Sequence, residues 1–276
     1  MNNNIFRKTK IYYFMKIVES SLKKWYNLDM DKEKRMQAIL LAGGLGTRLR
    51  SVVNDRPKPM ALVDGKPFMA YVVQELSRYK ITDIIFAVGY KGSLVEEYFQ
   101  DGSSFRLPGG GHLTAKYAYE EELLGTAGAI KNAGRLVTED TFFVLNADTF
   151  YRLDYGRLER LMTERKLEMA LVLRQVPDVS RYGQAILADG YLTGFNEKTT
   201  EAKPGTINGG VYRMSRQLLE EIPDGKVSLE NDMIPRWLSE KRRLGGFVND
   251  GYFIDIGVPE DYFRFIQDVK KGVVTW

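Results

Sequence analysis

The sequence predicts an α/β fold: a mixed, mostly parallel sheet with helices on both faces. Three observations carry this. From Met36 onward, short apolar runs alternate with longer segments of helical character, the rhythm of strand–helix–strand units. Runs such as Ile84–Val88 and Met169–Leu173 are apolar throughout rather than alternating, which suits strands covered on both faces. The first run ends in a glycine-rich turn, and in such sheets ligands bind beyond the carboxyl ends of the strands.

The elements follow in order. Gln37–Leu41 is the first strand, and Pro67 opens a helix reaching about Tyr79, since proline suits a first helical turn. Ile84–Val88 is a strand and Leu94–Phe99 continues as a helix; Ala115–Tyr119, Phe142–Leu145 and Met169–Leu173 are further strands. A helix opened by Leu124-Gly-Thr-Ala-Gly128 runs to about Ala133, and Asp154 is a candidate N-cap for a helix over 155–165. After about residue 175 the strands shorten to Gln184–Leu187, Tyr191–Phe195 and Thr206–Tyr212. A helix over Leu229–Leu238 and strands Leu244–Val248 and Tyr252–Ile254 follow. Pro259 begins the last helix, with Glu260 and Asp261 in its first turn, where the helix dipole favours them. Leu107-Pro-Gly-Gly-Gly111 is a turn and not a phosphate loop, because no helix follows it.

Residues 1–35 differ from this body and are expected to form a basic amphipathic extension, leaving 36–276 as the main domain. Ile11, Phe14, Val18, Leu22 and Trp25 recur at helical spacing, so one face is apolar. The segment holds nine Lys/Arg and four Asp/Glu, whereas the rest carries 31 basic and 32 acidic residues. The body is therefore not a basic nucleic-acid binder. Charges interrupt the extension too often for a signal-peptide core. No apolar run is long enough to span a bilayer. The chain has no cysteine, which excludes disulfides, zinc–thiolate centres and thiol nucleophiles and fits a cytoplasmic location. With His112 its only histidine, a Ser-His-Asp triad and a His-based metal site are disfavoured.

The most informative stretch is Leu41-Ala-Gly-Gly-Leu-Gly-Thr-Arg48. Gly43, Gly44 and Gly46 let backbone N–H groups approach phosphate oxygens, and Arg48 and Lys58 place positive charge beside them. A dinucleotide fingerprint would need a third glycine where Leu49 stands, and no glycine-lysine-serine or -threonine ending marks a Walker loop. Asp148 and Asp255 each follow an apolar strand, so both could meet at the ligand edge. On spacing alone, a turn or cap residue is the favoured reading of each.

The loop followed by Pro57-Lys-Pro59 resembles the family of nucleotidyltransferases that activate sugar 1-phosphates. The resemblance continues in order through Leu124-Gly-Thr-Ala-Gly128, Leu145-Asn-Ala-Asp148, Glu197-Lys198, Asn208-Gly-Gly210 and Phe253-Ile-Asp-Ile-Gly257, covering residues 36 to about 268. It implies that family's Rossmann-like sheet, a nucleoside triphosphate and a sugar 1-phosphate as substrates, and Mg2+ as cofactor. Arg48 and Lys58 would be catalytic, and Asp148 and Asp255 the metal ligands. Leu41, Ala42, Gly43, Gly44, Gly46, Thr47, Gly125 and Thr126 would line the nucleotide site, with Glu122 or nearby carbonyls reading the base. Arg181, Gly183, Glu197, Lys198, Asn208 and Gly209 would line the sugar site. A homo-oligomer is compatible with the resemblance.

One departure narrows the substrate. Many members carry a proline and a threonine soon after the arginine, whereas Leu49-Arg-Ser-Val-Val-Asn-Asp55 has neither. This segment, the Gly-Thr-Ala-Gly loop and the Phe253–Tyr262 ending look most like the D-glycero-D-manno-heptose 1-phosphate guanylyltransferases. Mannose-1-phosphate guanylyltransferases and uridylyl- or thymidylyltransferases are the enzyme alternatives. A catalytically silent nucleotide-sensing subunit is the non-enzyme one, but the chain keeps Arg48, Lys58, Asp148 and Asp255, groups a silent member would be expected to lose.

Because every motif lies after Met36, a chain starting there should keep nucleotidyl transfer. A folded, soluble chain of residues 36–276 without activity would overturn this expectation.

Overall fold

The structure is a computed structural model that describes residues 36–44, 46–107, 111–180, 183–196 and 202–276, the side chains of Thr47 and Asn196 set aside. The amphipathic extension expected over 1–35 lies outside the described residues.

The strands in chain order are β1 (Met36–Leu41), β2 (Leu62–Val63), β3 (Lys66–Pro67), β4 (Ile81–Val88), β5 (Thr114–Tyr119), β6 (Thr141–Asn146), β7 (Thr149–Tyr151), β8 (Met169–Val176), β9 (Gln184–Ala188), β10 (Tyr191–Asn196), β11 (Gly205–Ser215), β12 (Leu244–Val248) and β13 (Phe253–Asp255). The helices are α1 (Phe68–Ser77), α2 (Ser93–Phe99), α3 (Gly125–Gly134), α4 (Tyr155–Arg165), α5 (Arg216–Glu221), α6 (Ile234–Ser239) and α7 (Pro259–Lys270). Nine strands form one sheet in the order β5-β4-β1-β6-β11-β8-β12-β10-β9.

The sheet is mixed. Parallel pairing joins β5, β4, β1 and β6, and recurs between β8 and β12. β11 lies antiparallel between β6 and β8, and β9 and β10 form an antiparallel hairpin at the far edge. This half is the part of the sequence where the strand–helix rhythm gives way to short strands.

Pleating divides the apolar runs between two cores. Ala38, Leu40, Ile84, Phe86, Phe143 and Leu145 face one, whereas Ile39, Ile85, Ala87, Phe142 and Val144 face the other. Both are filled with buried apolar side chains, which explains why these strands read as unbroken apolar runs. The helix predicted from Pro67 begins at Phe68, with Pro67 as its N-cap. Asp154 is the N-cap of α4, but its carboxylate bonds Arg160 at 2.6 Å instead of the helix amides. The helix expected over Leu229–Leu238 opens as a wide π-turn over Leu229–Met233 before α6. Residues 108–110 of the turn expected at 107–111 lie outside the described residues; Arg106 and His112, on either side, form an antiparallel bridge.

The short strand β7 has no counterpart in the sequence reading. It pairs with β13 in a separate antiparallel ladder, with Thr149 opposite Asp255 and Tyr151 opposite Phe253. Tyr151 ties this ladder to the main sheet by donating to the carbonyls of Leu173 and Asn249. Helix α7 packs on the ladder through Phe265, whose ring centroid lies 4.7 Å from Phe68, 5.6 Å from Tyr71 and 5.7 Å from Phe150. Phe265 is fully buried. Phe265→Ala should therefore cost about 3–5 kcal/mol in denaturant unfolding; a loss below about 1 kcal/mol would show that α7 is not anchored this way.

Candidate active site

The site grows from strand ends brought level by register. Leu41 at the end of β1 pairs with Ala87 of β4 on one side and with Asn146 of β6 on the other. The loops leaving β1 and β6 are stitched to that edge, as Ala42 N–H bonds Ala87 O at 2.8 Å and Ala147 N–H bonds Leu41 O at 3.1 Å. The phosphate-loop candidate and Asp148 are thus neighbours because their strands are neighbours.

Gly46 has φ +57°, and an added Cβ would lie 2.9 Å from Lys58 Cβ. Only a glycine makes this left-handed turn cheaply while letting the loop lie on the Lys58 segment. Arg48 follows in a short 3-10 turn over Thr47–Leu49 and is exposed. Lys58 begins another, over Lys58–Met60, between Pro57 and Pro59, which limit its backbone.

Lys58 is the electrostatic centre. Its ammonium pairs with Asp148 and lies 3.8 Å from Asp255 Oδ1. Asp148 stands directly before β7 and Asp255 ends β13, so the β7–β13 ladder brings the two carboxylates together; Ile256 N–H also bonds Asp148 O at 3.1 Å. Burial, then the Asp148 charge, push the Asp255 carboxyl up to about 6, against the pull of Lys58 and Arg48. Asp255 Oδ1 is buried without a hydrogen-bond donor. A desolvated carboxylate beside a second one, with an oxygen unsatisfied, is a place where a cation is favoured.

Two cavities meet here. One, of about 290 Å³, runs from Leu41, Ala42, Gly43 and Gly44 past Glu120 to Gly125 and Thr126. The other, of about 630 Å³, is lined by Arg48, Gly183, Phe195, Asn208, Glu230 and Asp255. Lys58, Thr126, Asn146 and Asp148 line both. The junction is therefore basic and acidic at once, with the charges needed to hold phosphate and metal.

Two residues stand elsewhere than expected. Glu122 is exposed in the turn after β5 and lines neither cavity. Glu120 takes the inward place, because its N–H bonds Val88 O at 2.8 Å and prolongs the strand alignment by one residue. Its carboxylate lies against Gly43, accepts the Leu124 N–H at 3.3 Å, and is raised above the usual carboxylate range by burial. Gly209 is buried beneath the site rather than lining it. A Cβ there would meet the Tyr151 ring at 2.7 Å and Val172 O at 2.9 Å, so its lack of a side chain makes room for the β7 anchor. Asn208 reaches the cavity from a bulge in β11, where the pairing with β8 jumps from Asn208–Leu173 to Tyr212–Leu171 and Gly210 turns with φ +70°. Arg181, Glu197 and Lys198, expected at the sugar, lie outside the described residues. Asn146, Thr149, Phe195 and Glu230 are lining residues that the sequence reading did not single out. Of these, Asn146 was within reach, since it sits inside the Leu145-Asn-Ala-Asp148 motif.

A doubly wound sheet edge carrying a phosphate-loop candidate, two cations and two aspartates defines a class of phosphoryl-handling enzyme. The chain belongs to the Nucleotidyl transferase family, which it matches over residues 37–272. Among its relatives, the D-glycero-alpha-D-manno-heptose 1-phosphate guanylyltransferase of Aneurinibacillus thermoaerophilus is 40% identical over 239 residues, covering 86% of this chain and 100% of that protein. The protein of the same name from Campylobacter jejuni is 39% identical, covering 84% and 99%. The crystal structure of HddC from Yersinia pseudotuberculosis complexed with GMP-PN superposes with a TM-score of 0.72 at 33% identity, covering 84% of this chain and 99% of that one. No helix among the described residues is long and apolar enough to cross a membrane.

Asp255 yields a stability prediction. Its folded pKa is raised above the unfolded value of 3.8 to about 6. Protonation thus favours the folded state, and the associated stability is fully present below the unfolded value and lost as pH rises through about 6. In metal-free buffer at pH 7.5, Asp255→Asn should therefore be more stable than the parent by on the order of 1–2 kcal/mol, the gain vanishing near pH 4. An equal or lower melting temperature for the variant at pH 7.5 would refute the assignment.

Proposed function

We propose that the chain transfers GMP from GTP to D-glycero-α-D-manno-heptose 1-phosphate, giving GDP-heptose and pyrophosphate in the cytoplasm for surface-polysaccharide assembly. The observation that carries the chemistry is the meeting of two cavities at Lys58 and Asp148, with Arg48 and Asp255 alongside. The names of the two relatives at 39–40% identity support the substrates.

The reaction suits a site without histidine or cysteine. A phosphate oxygen of the sugar 1-phosphate attacks the α-phosphorus of the triphosphate, one P–O bond forms, and the bond to pyrophosphate breaks. The nucleophile is already an anion at neutral pH, so no general base is required. The task is to hold two anions in line and stabilise the charge that develops. The glycine-rich loop cradles the triphosphate. Arg48 binds oxygens of the departing pyrophosphate through its fork, and Lys58 sits between the sugar phosphate and the α-phosphate.

Asp148 and Asp255 would hold Mg2+. Two carboxylates suit this ion, and the buried Asp255 Oδ1, which accepts no hydrogen bond, is an oxygen that such a cation would satisfy. The ion would supply charge neutralisation to the phosphates, and Lys58 would be free to pair with substrate oxygens in place of the carboxylates.

In the smaller cavity, Glu120 is the acceptor for the ring N–H and exocyclic amine of guanine, a role that its burial beside Gly43 and Leu124 supports. The larger cavity takes the sugar, with Gly183, Phe195 and Asn208 as walls and Arg181, Glu197 and Lys198 as the further groups implied by resemblance. A heptose exceeds mannose by one hydroxymethylene. Discrimination between them is limited to a few kcal/mol, so mannose 1-phosphate should be a slow substrate.

The test supplies four triphosphates together with heptose and mannose 1-phosphates and separates the nucleotide sugars. GDP-heptose should dominate. A dominant UDP- or dTDP-sugar would refute the base, and a preference for mannose would refute the sugar. Asp148→Asn should lower turnover by roughly two or more orders of magnitude while leaving the fold intact; near-normal activity would remove Asp148 from the site.

A further inference from the structure

Glu230 has no part in the chemistry just described, yet it lines the larger cavity and bonds Thr126, which borders both. It lies in the π-turn over Leu229–Met233, which Ser228 caps by accepting the Asn231 N–H at 3.1 Å. Glu230 Oε2 accepts from the Thr126 hydroxyl at 2.7 Å, and Oε1 accepts from the Tyr212 hydroxyl at 3.2 Å. Thr126 in turn accepts the Leu229 N–H at 2.7 Å. Tyr212 is fully buried and accepts an N–H of Asn208 Nδ2, while Asn208 Oδ1 accepts the Gly210 N–H at 3.0 Å. The chain of bonds thus runs from Thr126, at the junction of the two cavities, through Glu230 and Tyr212 to Asn208, in the larger one.

A carboxylate only accepts hydrogen bonds, whereas hydroxyls and amides can turn either way. Glu230 therefore fixes the direction of every proton in the chain. Tyr212 has to donate to it, which leaves the Tyr212 oxygen to accept from Asn208. Asn208 then has to turn its NH2 toward Tyr212 and its carbonyl toward Gly210. Thr126 likewise commits its proton to Glu230 and presents only lone pairs elsewhere. Burial around Tyr212 strengthens this polarity, since bonds in a low-dielectric network polarise one another.

We infer that Glu230 is a positioning residue that sets the hydrogen-bond polarity of Thr126 and Asn208 together, and so couples how the nucleotide and the sugar are held. The inference rests on the two-cavity reading above, but its test does not depend on which base or sugar is used.

The experiment measures both KM values and kcat on the full chain for Glu230→Gln, Tyr212→Phe, Thr126→Val and the Tyr212→Phe/Thr126→Val double variant, with melting temperatures alongside. Tyr212→Phe should raise the sugar-phosphate KM about tenfold and leave the triphosphate KM within about twofold, because it removes one bond on one side. Thr126→Val should raise the triphosphate KM about tenfold and the sugar-phosphate KM by less, because Thr126 borders both cavities. Glu230→Gln should raise both. The two single substitutions should combine non-additively, as expected when both act through one shared partner. Simple multiplication of their effects would overturn the inference, and that result is readable even if Glu230→Gln fails to fold. So would a fall in kcat alone with both KM values unchanged, the mark of a merely structural role. If the parent enzyme favours another triphosphate or sugar phosphate, the substrate reading changes while the same KM pattern is tested with that pair.

Discussion

The site depends on holding two carboxylates beside each other at the end of a sheet that would otherwise keep them apart. Asp148 comes from the loop after a central parallel strand, whereas Asp255 arrives more than a hundred residues later. They meet because three residues, Thr149–Tyr151, break from the main sheet and pair with Phe253–Asp255. The cost of bringing like charges into a buried place is visible in the raised Asp255 carboxyl. It is offset in part by Lys58, which the flanking prolines and the close approach of Gly46 hold in position. Local strain and charge of this kind are tolerated because the cores on either face of the sheet over-determine the surrounding backbone.

Much of this was legible in the chain. Apolar runs such as Ile84–Val88 and Phe142–Leu145 had to be central strands, and the glycines before Arg48 had to form a tight turn at the end of the first strand. Other parts carried no readable signal. Thr149–Tyr151 is too short to show any period, so the ladder that unites the aspartates could not be seen. The acidic run Glu120-Glu121-Glu122 gives no clue to which carboxylate faces inward; that is decided by one backbone bond to Val88. A glycine such as Gly209 reads the same whether it opens a pocket or makes room for an aromatic ring beneath it. Glu230 stood in an apparently ordinary helix start, and only the fold brings Thr126 and Tyr212 to it.

The two cavities also differ in how they are built. The smaller is made largely from the loops that leave the parallel strands. The larger draws on the antiparallel half, where the β11 bulge and the π-turn supply side chains. The division of the sheet into parallel and antiparallel halves is thus also a division between the walls of the two cavities.

The β7–β13 ladder has a consequence for how the enzyme comes into being. A ribosome delivers Arg48, Lys58 and Asp148 long before residue 255, and the helix bearing Phe265 emerges later still. The second acidic group is therefore installed only as the chain is completed, together with the Phe265 side chain that seals Phe68 and Tyr71. A nascent or C-terminally clipped protein would thus lack the acidic pair however much of the sheet had already formed.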